Sequence, residues 1–182
     1  MKIFIDTEFH EYKKNGIDTI ELISLALVKE TGEQLYLISK DFNLKNAWSN
    51  EWLRDNVIKT LPIDNSDCST LKAAKKYIDK EGVTREKMKE IILQFVGNCE
   101  PEFWGYYASY DWVVFCWIFG RMIELPNNFP MLPMDLKQIM HLTSLSSDKI
   151  KEAVPQVNCH NALADANWNK DVWNYIDSLV KR

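Results

Sequence analysis

Near the start of the chain two carboxylates stand two residues apart, in Asp6-Thr7-Glu8. If residues 2–6 form a strand with an acidic end, the two-residue repeat of strand side chains turns both acids to one face. Like charges so close repel unless something positive sits between them. A hard divalent cation such as Mg²⁺, which prefers oxygen ligands, meets that need. Taken alone, the pair is better read as a capping or turn aspartate beside a solvated glutamate, since such spacings occur by chance.

A base and another acid follow in His160-Asn161-Ala162-Leu163-Ala164-Asp165. In an ideal helix a separation of five residues turns Asp165 about 140° away from His160. The two share a site only if His160 lies in the loop or first turn and leans back, and Pro155 and Asn158 upstream suit a helix start there. The plain alternative is a surface histidine and a surface aspartate on an amphipathic helix. A third acid, Asp111 in Tyr107-Ala108-Ser109-Tyr110-Asp111, sits where a strand gives way to an apolar helix. Aspartate also caps helices, and Asp135, near another strand end and helix start, is the reserve for the same place.

The elements that must position these residues are legible in outline. Residues 2–6, 20–28 and 34–39 read as strands, the last two joined through Thr31-Gly32 as a hairpin, so the first three strands form a meander. Residues 71–80 and 85–96 carry apolar residues at helical spacing and stop at Gly82 and Gly97. Residues 102–107 return to strand character, 111–121 form a buried helix, 131–135 a short strand and 136–142 a helix. Residues 143–159 read as loop or short helix. A long helix over 161–180 has Ala162, Leu163, Ala166, Val172, Trp173, Ile176 and Leu179 as core positions. An antiparallel start followed by strand–helix alternation indicates a single mixed α/β domain.

Bulk properties narrow the functions. The 182 residues bury a core without staples. A net charge of −4 argues against coating nucleic acid through a broad basic surface, but not against engaging a few phosphates. Lysines and arginines are scattered, and no phosphate clamp emerges. Cys68, Cys99, Cys116 and Cys159 form no CxxC pair and no zinc-like spacing with histidine. The longest apolar run, residues 112–119, is far short of a membrane span, and a cytoplasmic location is expected.

In order and combination the motifs resemble those of the DEDDh 3′→5′ exonucleases: D-x-E at the first strand, Asp111 at mid-chain, then H-x4-D. The size, the Asp6-Thr7-Glu8-Phe9 opening and the A-x-Y-D middle motif are most similar to small stand-alone bacterial 3′-exoribonucleases, of the polyadenylate-specific AS type. One departure is Tyr107, where many relatives have Asn. The resemblance implies a ribonuclease H-like fold, with a central mixed sheet flanked by helices. It implies two Mg²⁺ ions, replaceable by Mn²⁺, held by Asp6, Glu8, Asp111 and Asp165, with His160 as general base. Glu8 and the backbone near Phe9 would meet the terminal 3′-hydroxyl. Phe9, Tyr107 and Tyr110 fit base stacking, which holds single strands without reading sequence, although Tyr107 and Tyr110 fit partial burial beside the sheet equally well. The implied substrate is single-stranded RNA or an RNA 3′ overhang. Many such enzymes are dimers, but no interface is legible.

Three alternatives accompany this reading. One is a 3′→5′ DNA exonuclease, and another a catalytically dead ribonuclease H-like module, which the presence of all five motif residues disfavours. The third is a haloacid-dehalogenase-like phosphatase, whose second Asp is here Glu8.

Overall fold

The computed structural model describes residues 1–64 and 66–180. Five strands, β1 (Lys2–Lys14), β2 (Ile17–Lys29), β3 (Gln34–Ile38), β4 (Glu102–Gly105) and β5 (Met134–Asp135), form one sheet in the order β3-β2-β1-β4-β5. The β1–β2 and β2–β3 pairs are antiparallel, whereas β1–β4 and β4–β5 are parallel. The meander and the mixed sheet are as the sequence indicates.

β1 runs well past the expected end at residue 6. Asn15 and Gly16 both take positive φ, the left-handed pair that two-residue hairpin turns require, and this lets β1 and β2 stay paired out to Lys14 and Ile17. Asp6 and Glu8 therefore lie along the strand rather than at its end. Just beyond them a bulge shifts the register: Glu8 faces Ser24 but Phe9 faces Leu22. Bulges of this kind re-aim side chains and gather beside functional sites.

The helices are α1 (Leu44–Ser49), α2 (Glu51–Asn56), α3 (Leu71–Glu81), α4 (Arg85–Val96), α5 (Ser109–Phe119), α6 (Leu136–Leu142), α7 (Ser147–Ala153) and α8 (Ala162–Val180). Thr70 and Thr84 cap α3 and α4 through their hydroxyls, and Gly82 and Gly97 end them. Residues 143–159 hold the seven-residue α7.

Alternation along β1 splits the core between two layers. Ile3 and Ile5 pack with Met88, Ile92 and Phe115 of α4 and α5, while Phe4 packs with Ala162, Ala166 and Val172 of α8. α1 to α3 build a further cluster against Ile23 and Ile38. On α8, Leu179 is exposed and Leu163 and Trp173 only half-buried, while Trp168 and Asn169 are buried in their stead. The buried Asn169 donates its side-chain N–H to the Ile5 carbonyl at 3.0 Å. It sits one turn after Asp165 on the same helix face, so this bond sets the height of Asp165 against β1. At the end of β4 a Cβ on Gly105 would meet the Ala108 Cβ at 2.8 Å, so only glycine allows the chain to turn so closely into α5.

Asn169→Leu removes this tether and leaves a buried carbonyl without its side-chain partner. It is expected to lower unfolding stability by about 1–3 kcal/mol, measured by urea denaturation.

Candidate active site

β4 and β5, parallel to β1, end just past Phe4 of β1, and open α/β sheets bind ligands in the crevice beyond such ends. Four acids converge here from three elements. Asp6 and Glu8 project from β1 toward the α8 side, Asp165 lies in the first turn of α8, and Asp111 lies in the first turn of α5. Glu8, Asp111 and Asp165 are buried and Asp6 half-buried.

Asp111 does not cap α5, whose N-cap is Ala108. Its Oδ1 accepts the Thr7 backbone N–H at 2.8 Å and the Thr7 hydroxyl at 2.6 Å. β4 pairs with β1 only as far as Phe4, and this acid takes over the strand edge farther along. Asp135, the reserve for this place, is the capping residue: Oδ1 accepts from Lys137 N at 2.7 Å and Oδ2 from Ala108 N at 3.1 Å.

His160 lies in the loop before α8, as the H-x4-D geometry demands, with φ of 65°. That left-handed backbone turns its N–H onto Asp165 Oδ2 at 2.8 Å. Asn161 caps α8, accepting from Ala164 N at 3.2 Å, and donates to the Thr60 carbonyl at 2.7 Å. The exposed His160 ring meets Trp52 edge-on at 4.8 Å between centroids. Ligand atoms of Glu8, His160 and Asp165 all lie within 4.8 Å of one another.

The electrostatics of the cluster are unfavourable without a counter-charge. Burial first, then Asp111, Glu8 and Asp165, push the Asp6 carboxyl well above its ordinary range. Burial, aided by Asp165 and Asp111, lifts Glu8 to about 8, and burial lifts Asp111 to about 6 against the pull of its Thr7 bonds. Asp165 is also raised, chiefly by burial, with Gln156 and His160 opposing. Carboxylates packed this way with oxygens convergent are the donor set that Mg²⁺ or Mn²⁺ takes, and an imidazole beside them is compatible with Mn²⁺.

Of the aromatics, Phe9 stacks on Tyr110 with centroids 5.8 Å apart, and Tyr110 and Tyr107 are 52% and 62% exposed. Tyr107 has φ of 59°. Asparagine tolerates that left-handed conformation far better than tyrosine, which gives the departure at this position a backbone meaning.

Several neighbours escape a sequence reading. Gln156 donates to Asp165 Oδ1 at 2.6 Å. Lys137 bonds Ser147 and lies over the Tyr106 and Tyr107 rings. Ser147, Lys151 and Gln156 line a 140 Å³ cavity that opens onto Asp6 and Asp165. Nothing in their local sequence marks Lys137, Ser147, Lys151 or Gln156.

Residues 1–177 match the family described as the 3′-5′ exoribonuclease Rv2179c-like domain. The chain belongs to this family. Similar proteins are the 3′-5′ exoribonucleases of Mycobacterium tuberculosis strains H37Rv and CDC 1551. Both are 34% identical to the chain over 139 residues, 76% of this chain and 73% of each relative. The fold is also similar to that of Escherichia coli ExoI, solved with zinc and single-stranded DNA, with a TM-score of 0.63 at 15% identity. All of this chain aligns there, but it spans only 41% of the ExoI chain. The Rv2179c-like chain thus has the ribonuclease H-like architecture, and its comparison with ExoI speaks for the fold alone.

The raised carboxyl groups carry a pH signature. A carboxyl whose folded-state pKa is raised adds stability below its ordinary pKa and loses it as pH rises through the folded value. For Glu8 that window runs from 4.5 to about 8. In EDTA, the melting temperature is expected to fall between these pH values, more steeply in the wild type than in Glu8→Gln. Added Mn²⁺ should restore it strongly near the upper limit and little near the lower.

Proposed function

We propose that the protein is a divalent-metal-dependent exoribonuclease. It shortens single-stranded RNA, or an RNA 3′ overhang, from the 3′ end and releases nucleoside 5′-monophosphates. The observation that carries this reading is the convergence of Asp6, Glu8, Asp111 and Asp165 with His160 at one end of the sheet. RNA is favoured by the description of the family and by the mycobacterial 3′-5′ exoribonucleases.

Asp6, Glu8, Asp111 and Asp165 would hold two Mg²⁺ ions, with Mn²⁺ able to replace them. Bound there, such ions stabilise the attacking and leaving oxygens of an in-line displacement at phosphorus. The chain's own groups do the remaining work. The His160 imidazole accepts a proton from the attacking water. As the water oxygen bonds to phosphorus, the bond to the 3′-oxygen of the preceding nucleotide breaks, and that oxygen takes a proton from solvent and is released as a new 3′-hydroxyl. Glu8 receives the terminal 3′-hydroxyl, and Phe9, Tyr107 and Tyr110 offer ring faces to bases. Gln156 and the His160 backbone hold Asp165 in orientation from either side.

Among the described residues no helix is long and apolar enough to cross a membrane. All four cysteines are free thiols, in keeping with a reducing, cytoplasmic setting. One exonuclease domain over the whole chain completes the proposal.

With Mg²⁺ or Mn²⁺, the purified protein is expected to shorten 5′-labelled single-stranded RNA stepwise, faster than DNA of the same sequence, and EDTA should stop it. Asp6→Ala and Asp165→Ala should abolish turnover while circular dichroism shows a retained fold. Cleavage by a folded Asp6→Ala protein would sink the assignment.

His160→Ala should lower kcat by roughly 10²–10⁴-fold, with Mn²⁺ affinity by calorimetry nearly unchanged. A comparable loss of Mn²⁺ affinity would make His160 a ligand instead of a base.

A further inference from the structure

About half of the described lysines are paired with acids, among them Lys13 with Asp18, Lys59 with Asp55 and Lys87 with Glu90. Three of the unpaired ones, Lys40, Lys45 and Lys72, surround a groove of 610 Å³ between the segment after β3, α1 and α3. Lys40, Lys45, Lys72 and Lys75 line it, all exposed, and it shares no lining residue with the carboxylate site. Its one lining acid, Asp79, holds Lys75 at 2.7 Å. Among the described residues, Lys40, Lys45 and Lys72 have no carboxylate within salt-bridge reach. The groove is not purely ionic, for Phe42, Leu71 and Ile78 also line it.

Cations along the rim of an apolar groove match single-stranded nucleic acid, in which phosphates and base faces alternate. A folded acidic protein partner would satisfy the lysines but has less use for the apolar surface between them. The groove is also joined to the carboxylate site by one continuous stretch of chain. α1 leads into α2, whose Trp52 touches the His160 ring, and then to Thr60, whose carbonyl holds Asn161.

We propose that this lysine groove is an exosite for the single-stranded RNA lying 5′ of the end held at the carboxylates, setting affinity for long substrates without taking part in the chemistry. The proposal rests on the exoribonuclease reading and adds to it a second point of attachment on the same strand.

The test compares wild type with a Lys40→Gln/Lys72→Gln protein on 5′-labelled RNAs of about 3 and about 20 nucleotides. For the long RNA, KM should rise about tenfold at unchanged kcat, and the slope of log affinity against log salt should fall by roughly 1.4, the loss of two phosphate contacts. The short RNA should be cleaved as by wild type. A Lys40→Arg/Lys72→Arg protein should behave as wild type on both. Equal effects on the two lengths, or no effect on either, would overturn the exosite. Fluorescence anisotropy with the long RNA in EDTA separates this from the exoribonuclease reading: the Gln variant should bind more weakly than wild type even if neither cleaves, and equal binding would overturn the proposal.

Discussion

Repulsion among buried carboxylates is the constraint around which the rest of this structure is arranged. Asp6, Glu8, Asp111 and Asp165 each lie where burial alone disfavours the ionised form, and Asp111 and Asp165 make ionisation harder still for Asp6 and Glu8. A hydrophobic core gains nothing from such a cluster, and folding free energy is too small to keep it without a purpose. The fold fixes two of the four acids, Asp111 and Asp165, with hydrogen bonds. Thr7 holds Asp111, and Gln156 and the His160 backbone hold Asp165. A two-metal phosphodiesterase reading accounts for this arrangement, and a purely structural one does not.

The supporting frame follows from that constraint. Asp6 and Glu8 share a face because β1 keeps strict alternation through them, and the register shift at Phe9 comes only after both are placed. Asn169 ties α8 to the carbonyl of Ile5, one residue before Asp6. Gly105 lets β4 end abruptly against Ala108, so that α5 can begin beside β1. Left-handed backbone recurs at Tyr107 and His160, on the two loops that border the cluster. Strain of that sort persists only where the surroundings over-determine it.

Much of this was legible from residue types and spacing, for reasons that differ by element. α3 and α4 carry strong periodicity and glycine stops, so their limits came within a residue or two. The meander was visible in its β-branched runs, but the length of β1 was not, because its outer half, His10 to Lys14, is polar and reads as loop. The Asn15-Gly16 turn was the available signal. Helix geometry made a place for His160 outside α8 the condition for its sharing a site with Asp165, and α8 begins at Ala162. Between Asp111 and Asp135 the sequence left a choice, since both precede helices. Only three-dimensional contact shows that Asp135 is occupied with backbone N–H groups while Asp111 faces Asp6. Gln156, Trp52 and the lysine groove come from segments far apart in the chain, and no local pattern encodes a meeting of that kind.

The order in which these pieces occur along the chain has a temporal meaning. Thr7 and Asp111 are 104 residues apart in sequence, and Asp165 rides on the last described helix. During synthesis from the N-terminus, β1 to β5 and α1 to α7 emerge first, and none of them can complete the carboxylate cluster. A ribosome-bound chain that stops short of α8 lacks both Asp165 and the Asn169 tether. The cluster therefore gains its fourth acid only when α8 docks against β1.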